Sequence, residues 1–102
     1  MSRYVFTPKA EQDIRDIWRW IAQDNEQAAD AMLSTIFKKL EQAAHHPLMG
    51  VKRTDLSETA RILVARPYII IYEPVQTGLL VVAIVHGARE RKRWLSDDPN
   101  RL

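Results

Sequence analysis

The feature that most constrains the fold is a change of hydrophobic period near residue 60. Before it, apolar residues recur every three or four positions over two stretches, which is typical of amphipathic helices. After it come three short runs rich in β-branched residues, Arg61–Ala65, Tyr68–Tyr72 and Leu79–Val85. A chain with two helices before three strands is expected to fold as an α+β domain, with the helices packed on a sheet.

Local signals mark the ends of both helices. Thr7-Pro8 is predicted to start the first, because threonine accepts bonds from free amides and proline fits the first helical position. Asp24-Asn25 interrupts the pattern, and His45-His46-Pro47 ends the second helix, since the residue before proline avoids the helical region. So short a join predicts an antiparallel helical hairpin.

The three late strands are joined by short turns, which predicts antiparallel pairing. Their runs lack clean alternation, so the sheet is expected to be covered on much of both faces. Tyr4–Thr7 is a further strand candidate, and Glu90–Leu95 a possible short C-terminal helix. The predicted architecture is therefore β-α-α-β-β-β, an antiparallel sheet packed against an N-terminal helical hairpin, in one domain over residues 1–102.

Composition limits the function classes. The chain has no cysteine, which excludes disulfides and thiolate chemistry. The start lacks an apolar signal core, and no stretch approaches the ~20 apolar residues of a membrane span, so a cytoplasmic protein without a membrane partner is expected. Acids outnumber bases in residues 11–41 and bases outnumber acids in residues 49–102. This asymmetry fits two faces with different partners, or simply two solvated faces.

No metal or cofactor is predicted. The adjacent His45 and His46 would point about 100° apart on a helix, so they are poorly placed to chelate one ion. The three glycines are isolated from one another and form no phosphate-binding loop.

Four stretches together resemble the RelE/ParE family of bacterial toxins. They are TPKAEQDIRDIWRWIA in the first helix, HHPLMG after the second, ARILVARPYIIIYE in the paired strands and VVAIVHGARER at the end. The resemblance covers nearly the whole chain, and the family's order of elements is the one that periodicity predicts. It implies a toxin of a type II toxin–antitoxin system, held with a cognate antitoxin in a hetero-oligomer.

The resemblance allows two mechanisms. ParE-like members inhibit DNA gyrase by binding, whereas RelE-like members cut messenger RNA in the ribosomal A site. Trp18, Trp20 and the HPxxG and HGAR stretches are similar to the ParE branch, and no tyrosine follows Tyr72 where the RelE branch usually has one. Gyrase inhibition without catalysis is expected. The alternatives are a ribosome-dependent mRNA endonuclease and a non-toxic relic that keeps only its antitoxin interface.

Two groups of residues are candidates for binding partners. Trp18 and Trp20 are assigned to the antitoxin, because tryptophan often dominates interfaces and helix pairs offer grooves. The alternative for Trp20 is packing on the second helix. The target-binding candidates follow the last strand and suit an acidic protein or a nucleic acid, unless they form a solvated turn: Arg89, Arg91, Lys92, Arg93 and Trp94.

The endonuclease alternative would use Arg61, His86 and Arg89, with the pair Lys52-Arg53, to polarise a phosphate. The resemblance implies that the last strand lies beside the strand starting at Arg61, which would bring Arg61 and Arg89 to one end of the sheet.

The same residues also fit structural roles. Arg61 and Arg89 would then pair with Asp55 or Glu90, and the ring of His86 would bond a nearby backbone group or carboxylate. A catalytic role also requires a second acid–base group, and the sequence pattern does not place one.

Overall fold

The computed structural model describes residues 3–88. The elements are β1 Arg3–Phe6, α1 Pro8–Ala22, α2 Glu26–His45, β2 Val51–Lys52, β3 Arg61–Ala65, β4 Tyr68–Val75 and β5 Gly78–His86. Two helices pack against a five-stranded sheet, so the α+β class and the predicted order of helical hairpin and strands are confirmed. The predicted C-terminal helix Glu90–Leu95 lies outside the described residues.

Both helices begin at the caps that the sequence marks, and both end at the marked breaks or within two residues of them. The Thr7 hydroxyl caps α1 by accepting a hydrogen bond from the Ala10 amide at 3.1 Å. The Asn25 side chain caps α2 by accepting one from the Ala28 amide at 3.0 Å. α2 ends at His45, before the proline that cannot follow a helical residue. The short join between the helices produces the predicted hairpin.

The sheet is mixed rather than wholly antiparallel. Its strand order is β1-β5-β4-β3-β2, and β2 to β5 pair antiparallel as predicted. β1, however, pairs with β5 in parallel, from Arg3 opposite Gly78 to Phe6 opposite Val81. The chain returns from β1 to β5 through both helices and three strands, so the rule for short turns does not govern this pair. β2 is a two-residue edge strand that the sequence pattern did not predict.

The strand order corrects one expectation from the family resemblance. β4 lies between β3 and β5, so the last strand is not beside the strand that starts at Arg61. Arg61 is opposite Tyr72, and on the other side of β4 His86 is opposite Tyr68. The two positions are therefore about 13 Å apart along the strand direction. They separate because β3 and β5 both run antiparallel to β4, and so start at the same end of the sheet.

The helices cover one face of the sheet only. Alternate strand residues point to that face and join apolar residues of both helices in the core: Leu63, Ala65, Tyr68, Ile70, Tyr72, Leu79, Val81, Ile84, Ala10, Ile17, Ile36 and Leu40. The residues between them point to the second face, and no helix within residues 3–88 covers it. Within residues 3–88, the cover expected on much of both faces is present on one.

The N-cap of α1 and a side chain of its second turn close the edge of β5 where β1 ends. Strand pairing on this side stops at Val81. Beyond it the Thr7 hydroxyl donates to the Val82 carbonyl at 2.8 Å, and the Asp13 carboxylate accepts from the Ile84 amide at 2.9 Å. These bonds use backbone groups that an incoming strand would need, so this part of the edge is protected from pairing with another chain.

Candidate functional site

A groove runs along the outer seam of the helical hairpin. Its first part is a largely apolar depression of about 380 Å³, lined by Ile14, Arg15, Trp18, Arg19 and Leu33. From Leu33 a second depression of about 420 Å³ continues along α2, lined also by Asp30, Ser34, Phe37, Lys38 and Glu41. This hairpin groove thus has an apolar floor with charged residues of both signs, a form that suits an amphipathic helix.

The structure separates the two tryptophans that were assigned to the antitoxin. Trp18 lines the hairpin groove, and its indole Nε1 donates to the Asp30 carboxylate at 2.8 Å, which ties α1 to α2. Trp20 lies about 200° further around the helix. It is absent from the groove lining and is 68% exposed, so it is not packed on α2 either. The two residues therefore belong to opposite flanks of α1.

Two side chains of the sheet hold the loop that follows α2. The hydroxyl of the buried Tyr72 accepts a hydrogen bond from the Gly50 amide at 2.9 Å and donates to the Pro47 carbonyl at 2.7 Å. Arg61 Nη1 donates to the carbonyl oxygens of Leu48 and Gly50 at 2.9 and 2.7 Å. Together these four bonds form the loop clasp, which fixes the backbone from Pro47 to Gly50.

The contacts of the loop clasp explain why residue 50 is glycine, and they affect the pKa of Tyr72. A Cβ at Gly50 would lie 2.5 Å from the Tyr72 hydroxyl and 2.8 Å from the Ile62 carbonyl oxygen. Burial raises the pKa of Tyr72 above its ordinary value of 10.0, although the Gly50 amide and the charge of Arg61 lower it in part. Tyr72 is therefore neutral near pH 7, and its hydroxyl serves as an anchor for the loop.

Of the residues considered for nuclease chemistry, Arg61 and His86 do not meet. Arg61 is bound to the clasp carbonyls, and His86 lies towards the other end of the sheet. His86 Nδ1 accepts from the Ala88 amide at 3.2 Å, and its ring stacks edge-on against Tyr68 at 5.6 Å between centroids. These contacts agree with the structural alternative for His86. Arg89 lies outside the described residues.

The two residues of the basic pair Lys52-Arg53 also have different surroundings. Lys52 is exposed on β2, opposite Arg61. Arg53 binds Asp55 through both Nε, at 2.8 Å, and Nη2. The structural alternative for Arg61 was an ion pair with Asp55 or Glu90. In the structure Arg61 bonds the carbonyls of the loop clasp, and Asp55 bonds Arg53.

The predicted target-binding residues lie outside the part of the chain that the structure describes: Arg89, Arg91, Lys92, Arg93 and Trp94. The structure does show where the chain leaves the sheet. The Gly87 amide donates to the Pro67 carbonyl at 2.8 Å, so the end of β5 is tied to the turn between β3 and β4.

Neither α1 nor α2 combines the length and apolar character needed to cross a bilayer. Over the same residues, 3–88, no group of His, Cys, Asp and Glu is arranged to hold a metal ion. His45 and His46 are both exposed at the end of α2.

Comparison with known proteins identifies the family. The family model for the ParE toxin of the type II toxin–antitoxin system parDE matches residues 4–91. The chain belongs to this family. Toxin RelE3 of Caulobacter vibrioides is 25% identical over 92 residues, which cover 89% of this chain and 100% of that protein. The RelE/ParE resemblance in the sequence is thus confirmed, and the chain is a toxin of a type II toxin–antitoxin system.

A solved structure supports the ParE-family fold independently. A chain from the chromosomal ParDE TA system of P. aeruginosa superposes with a TM-score of 0.68 at 17% identity, over 84% of this chain and 96% of that one. At this identity the match is evidence for the fold alone.

Two functional features of this ParE-family toxin were not predicted from its sequence. Asp13 resembles an ordinary acid in the first turns of a helix, yet its carboxylate reaches the Ile84 amide. Leu33 and Phe37 follow the apolar period of α2 and look like core, yet they line the hairpin groove. The signal for the groove is the width of that apolar stripe, which exceeds what one sheet face can cover.

Proposed function

We propose that this chain inhibits DNA gyrase by binding, without a catalytic step, and that a cognate antitoxin neutralises it in a hetero-oligomer. Membership of the ParE family supports this target, since the ParE resemblance implies gyrase. The observation that carries the proposal is the separation of the candidate nuclease residues, Arg61 in the loop clasp and His86 towards the opposite end of the sheet. A catalyst needs such groups within hydrogen-bond reach of one reacting centre.

The rigidity of the described surface also favours inhibition by binding. The clasp from Tyr72 and Arg61 fixes a loop that would otherwise be irregular, and antiparallel ladders fix the strands beside it. A surface that is ordered before association loses less conformational entropy on binding. Tight inhibition therefore requires no reaction on the target.

The antitoxin is proposed to lay an amphipathic helix in the hairpin groove and an extended piece along a sheet edge. Trp18 and Leu33 provide the apolar floor for the helix. The protected edge of β5 excludes a strand there. Among the strands of residues 3–88, none pairs with the outer edge of β3 from Leu63 to Ala65, because β2 pairs with Arg61 and Ile62.

A matched pair of tryptophan variants tests the antitoxin site. Trp18→Ala should weaken antitoxin binding by more than about fivefold, because a buried interface tryptophan is typically worth more than ~1 kcal/mol. Trp20→Ala, on the opposite flank of α1, should change affinity little. Calorimetry on folded variants decides between them. A larger loss in Trp20→Ala would show that the antitoxin binds the flank of α1 that carries Trp20, contrary to this proposal.

The target is tested with purified components. The toxin should inhibit supercoiling by gyrase, the antitoxin should restore it, and His86→Gln should retain inhibition because His86 has a structural role. Ribosomes translating a defined message serve as the second assay. Codon-specific cuts in the A site, with supercoiling unaffected, would assign the endonuclease instead. An antitoxin-binding protein inactive in both assays would be the non-toxic relic.

A further inference from the structure

The hairpin groove has an apolar floor to which both helices contribute. Ile14 and Trp18 line it from α1, and Leu33 and Phe37 line it from α2. All four side chains are half-buried, so each keeps apolar surface accessible in the groove. The part of the groove that follows positions 30–41 of α2 is about 16 Å long, which corresponds to about three helical turns.

Two arginines of α1 lie on the rim of the groove without an ion-pair partner. Arg15 and Arg19 are one helical turn apart, so they share one flank of α1, and both are exposed. Arg15 Nη2 donates to the neutral amide oxygen of Gln12 at 3.3 Å. Within residues 3–88, no carboxylate lies within ion-pair distance of either arginine. Like charges at this spacing repel each other, so a carboxylate bound between them would be favoured.

The rim along α2 has the opposite balance of charge. Asp30 and Glu41 are its acids and Lys38 is its base, so its net charge is negative, whereas both charged residues of the α1 rim are cations. Asp30 is also fixed in position, because its carboxylate accepts the hydrogen bond from Trp18 Nε1 at 2.8 Å. A ligand in the groove therefore meets cations on one side and mainly acids on the other.

An amphipathic helix with a matching asymmetry of charge fits this groove. Its apolar stripe would contact the floor, its carboxylates would face Arg15 and Arg19, and uncharged or basic side chains would face the α2 rim. Reversing the direction of a helix on a surface exchanges its two flanks. The rims therefore accept a given sequence in one direction and disfavour the other, because the reversed helix would place its acids beside Asp30.

The described residues favour a helix of another protein over other occupants. A nucleic acid would place phosphates along both rims, including the α2 rim, whose net charge is negative. A second copy of this chain could not offer α1 or α2, because the apolar stripes of both helices already pack on the sheet of their own chain.

We propose that Arg15 and Arg19 select the cognate antitoxin by pairing with carboxylates on one flank of the helix that occupies the hairpin groove. The inference rests on the proposed function, which places an antitoxin helix in the groove, and it adds the residues that choose among such helices. A helix with the same apolar stripe and no acid on that flank would partly desolvate both guanidinium groups without pairing them. The rim therefore discriminates between helices that the apolar floor would bind alike.

Neutral variants of the two arginines test this selection by calorimetry. Arg15→Gln with Arg19→Gln should weaken the affinity for the cognate antitoxin by about tenfold or more and reduce its dependence on salt. The free double variant should melt at or above the wild-type temperature, because glutamine is close to arginine in helix propensity and the repulsion is removed. Ala28→Glu with Gln42→Glu is the control. It lowers the net charge equally at exposed positions about 140° or more around α2 from Phe37, and its affinity should stay within about threefold of the wild type.

Charge exchange then identifies the antitoxin residues. Arg15→Glu with Arg19→Glu should bind the wild-type antitoxin more weakly than the glutamine pair does, because the rim now repels carboxylates. Each Asp and Glu of the antitoxin is replaced by Lys in turn. At least one replacement should restore binding to the charge-reversed toxin by about fivefold or more while weakening binding to the wild-type toxin. If no replacement restores binding, the arginines do not pair with carboxylates.

Three other results would overturn the selection. Unchanged affinity in the glutamine pair would show that the two arginines do not contact the antitoxin. An equal loss in the control pair would assign the effect to the net charge of the toxin rather than to the rim. A melting temperature lowered in the glutamine pair would show that the arginines stabilise the fold of the free toxin instead.

The proposed antitoxin site can fail separately from the selection. If Trp18→Ala weakens binding and the glutamine pair does not, the antitoxin helix lies in the groove and the selection by the arginines is wrong. If the glutamine pair weakens binding and Trp18→Ala does not, the arginines pair with the antitoxin and the groove is not its site. If neither weakens binding, both proposals are wrong. None of these measurements depends on gyrase.

Discussion

The two faces of the sheet have nearly the same composition and different neighbours. Along β4, Ile70 is fully buried beneath the helices, whereas Ile69 and Ile71 on either side of it point to the second face and keep part of their surface exposed. The two faces are therefore alike in hydrophobicity, and they differ in whether the helices cover them. Apolar surface that the helices remove from water stabilises the fold, and apolar surface left accessible is available to a partner.

The strongest test of this comparison is to truncate two adjacent isoleucines of β4, Ile70 and Ile71. Ile70→Ala should lower the free energy of unfolding by about 3–4 kcal/mol, because it removes buried methyl groups and leaves a cavity. Ile71→Ala should lower it by about 1 kcal/mol, since its side chain is only partly removed from water. Urea denaturation, with equal slopes as the control for two-state behaviour, measures both. Equal losses would mean that the second face is covered in the free protein.

The elements of the fold could be predicted because their signals are local. Thr7 and Asn25 cap helices within three residues of themselves, and Pro47 acts on the residue before it. The parallel pairing of β1 with β5 could not be predicted in this way, because it joins segments more than 70 residues apart. The period of the strands shows that both faces are apolar, but it cannot show whether a helix or another molecule covers them.

The candidate site was less predictable for the same reason. A charged residue at the start of a strand suggested an anion site, yet Arg61 Nη1 donates to two carbonyls of a loop 11 and 13 residues earlier. The sequence assigned Trp18 and Trp20 alike to the antitoxin, but only packing shows that Trp18 lines the groove and Trp20 does not. Non-local contacts decide which polar or aromatic side chains remain available for function.

The next largest effect on stability is expected at the loop clasp. There Tyr72, on the helix-covered face of the sheet, holds the loop that follows α2. Tyr72→Phe removes the hydroxyl that bonds Gly50 and Pro47 in a buried position. It should cost about 2–3 kcal/mol of unfolding free energy, because two backbone groups lose their partner. Tyr4→Phe, at a half-buried tyrosine, is the matched control and should cost less. Thermal denaturation of the two variants is the measurement, and equal costs would refute the clasp.

A smaller effect should follow at the edge of β5. Asp13→Ala leaves the Ile84 amide without its acceptor and should cost about 1–2 kcal/mol. Asp16→Ala removes an exposed acid from the same helix, where the carboxylate bonds only Gln12, and should be nearly neutral. Asp13→Ala should also expose the strand edge that α1 protects, so self-association detected by sedimentation would accompany the loss. A neutral Asp13→Ala would show that the bond contributes little.

The smallest expected effect is a loss of stability at alkaline pH that depends on Tyr72. Burial raises the pKa of its hydroxyl in the folded state, so the unfolded chain releases this proton first as the pH rises. Stabilisation from the neutral hydroxyl is complete below pH ~10 and is lost as the pH rises from there through the folded pKa, with a slope of at most about 1.4 kcal/mol per pH unit for one proton.

Tyr72→Phe should remove this contribution to the slope. Burial also raises the pKa of Tyr4, so Tyr4→Phe should remove a separate contribution of the same sign. Unfolding free energies from urea titrations between pH 9 and 11 would measure these slopes. An unchanged slope in Tyr72→Phe would mean that the hydroxyl ionises alike in the folded and unfolded chains, which is incompatible with its burial beneath the helices.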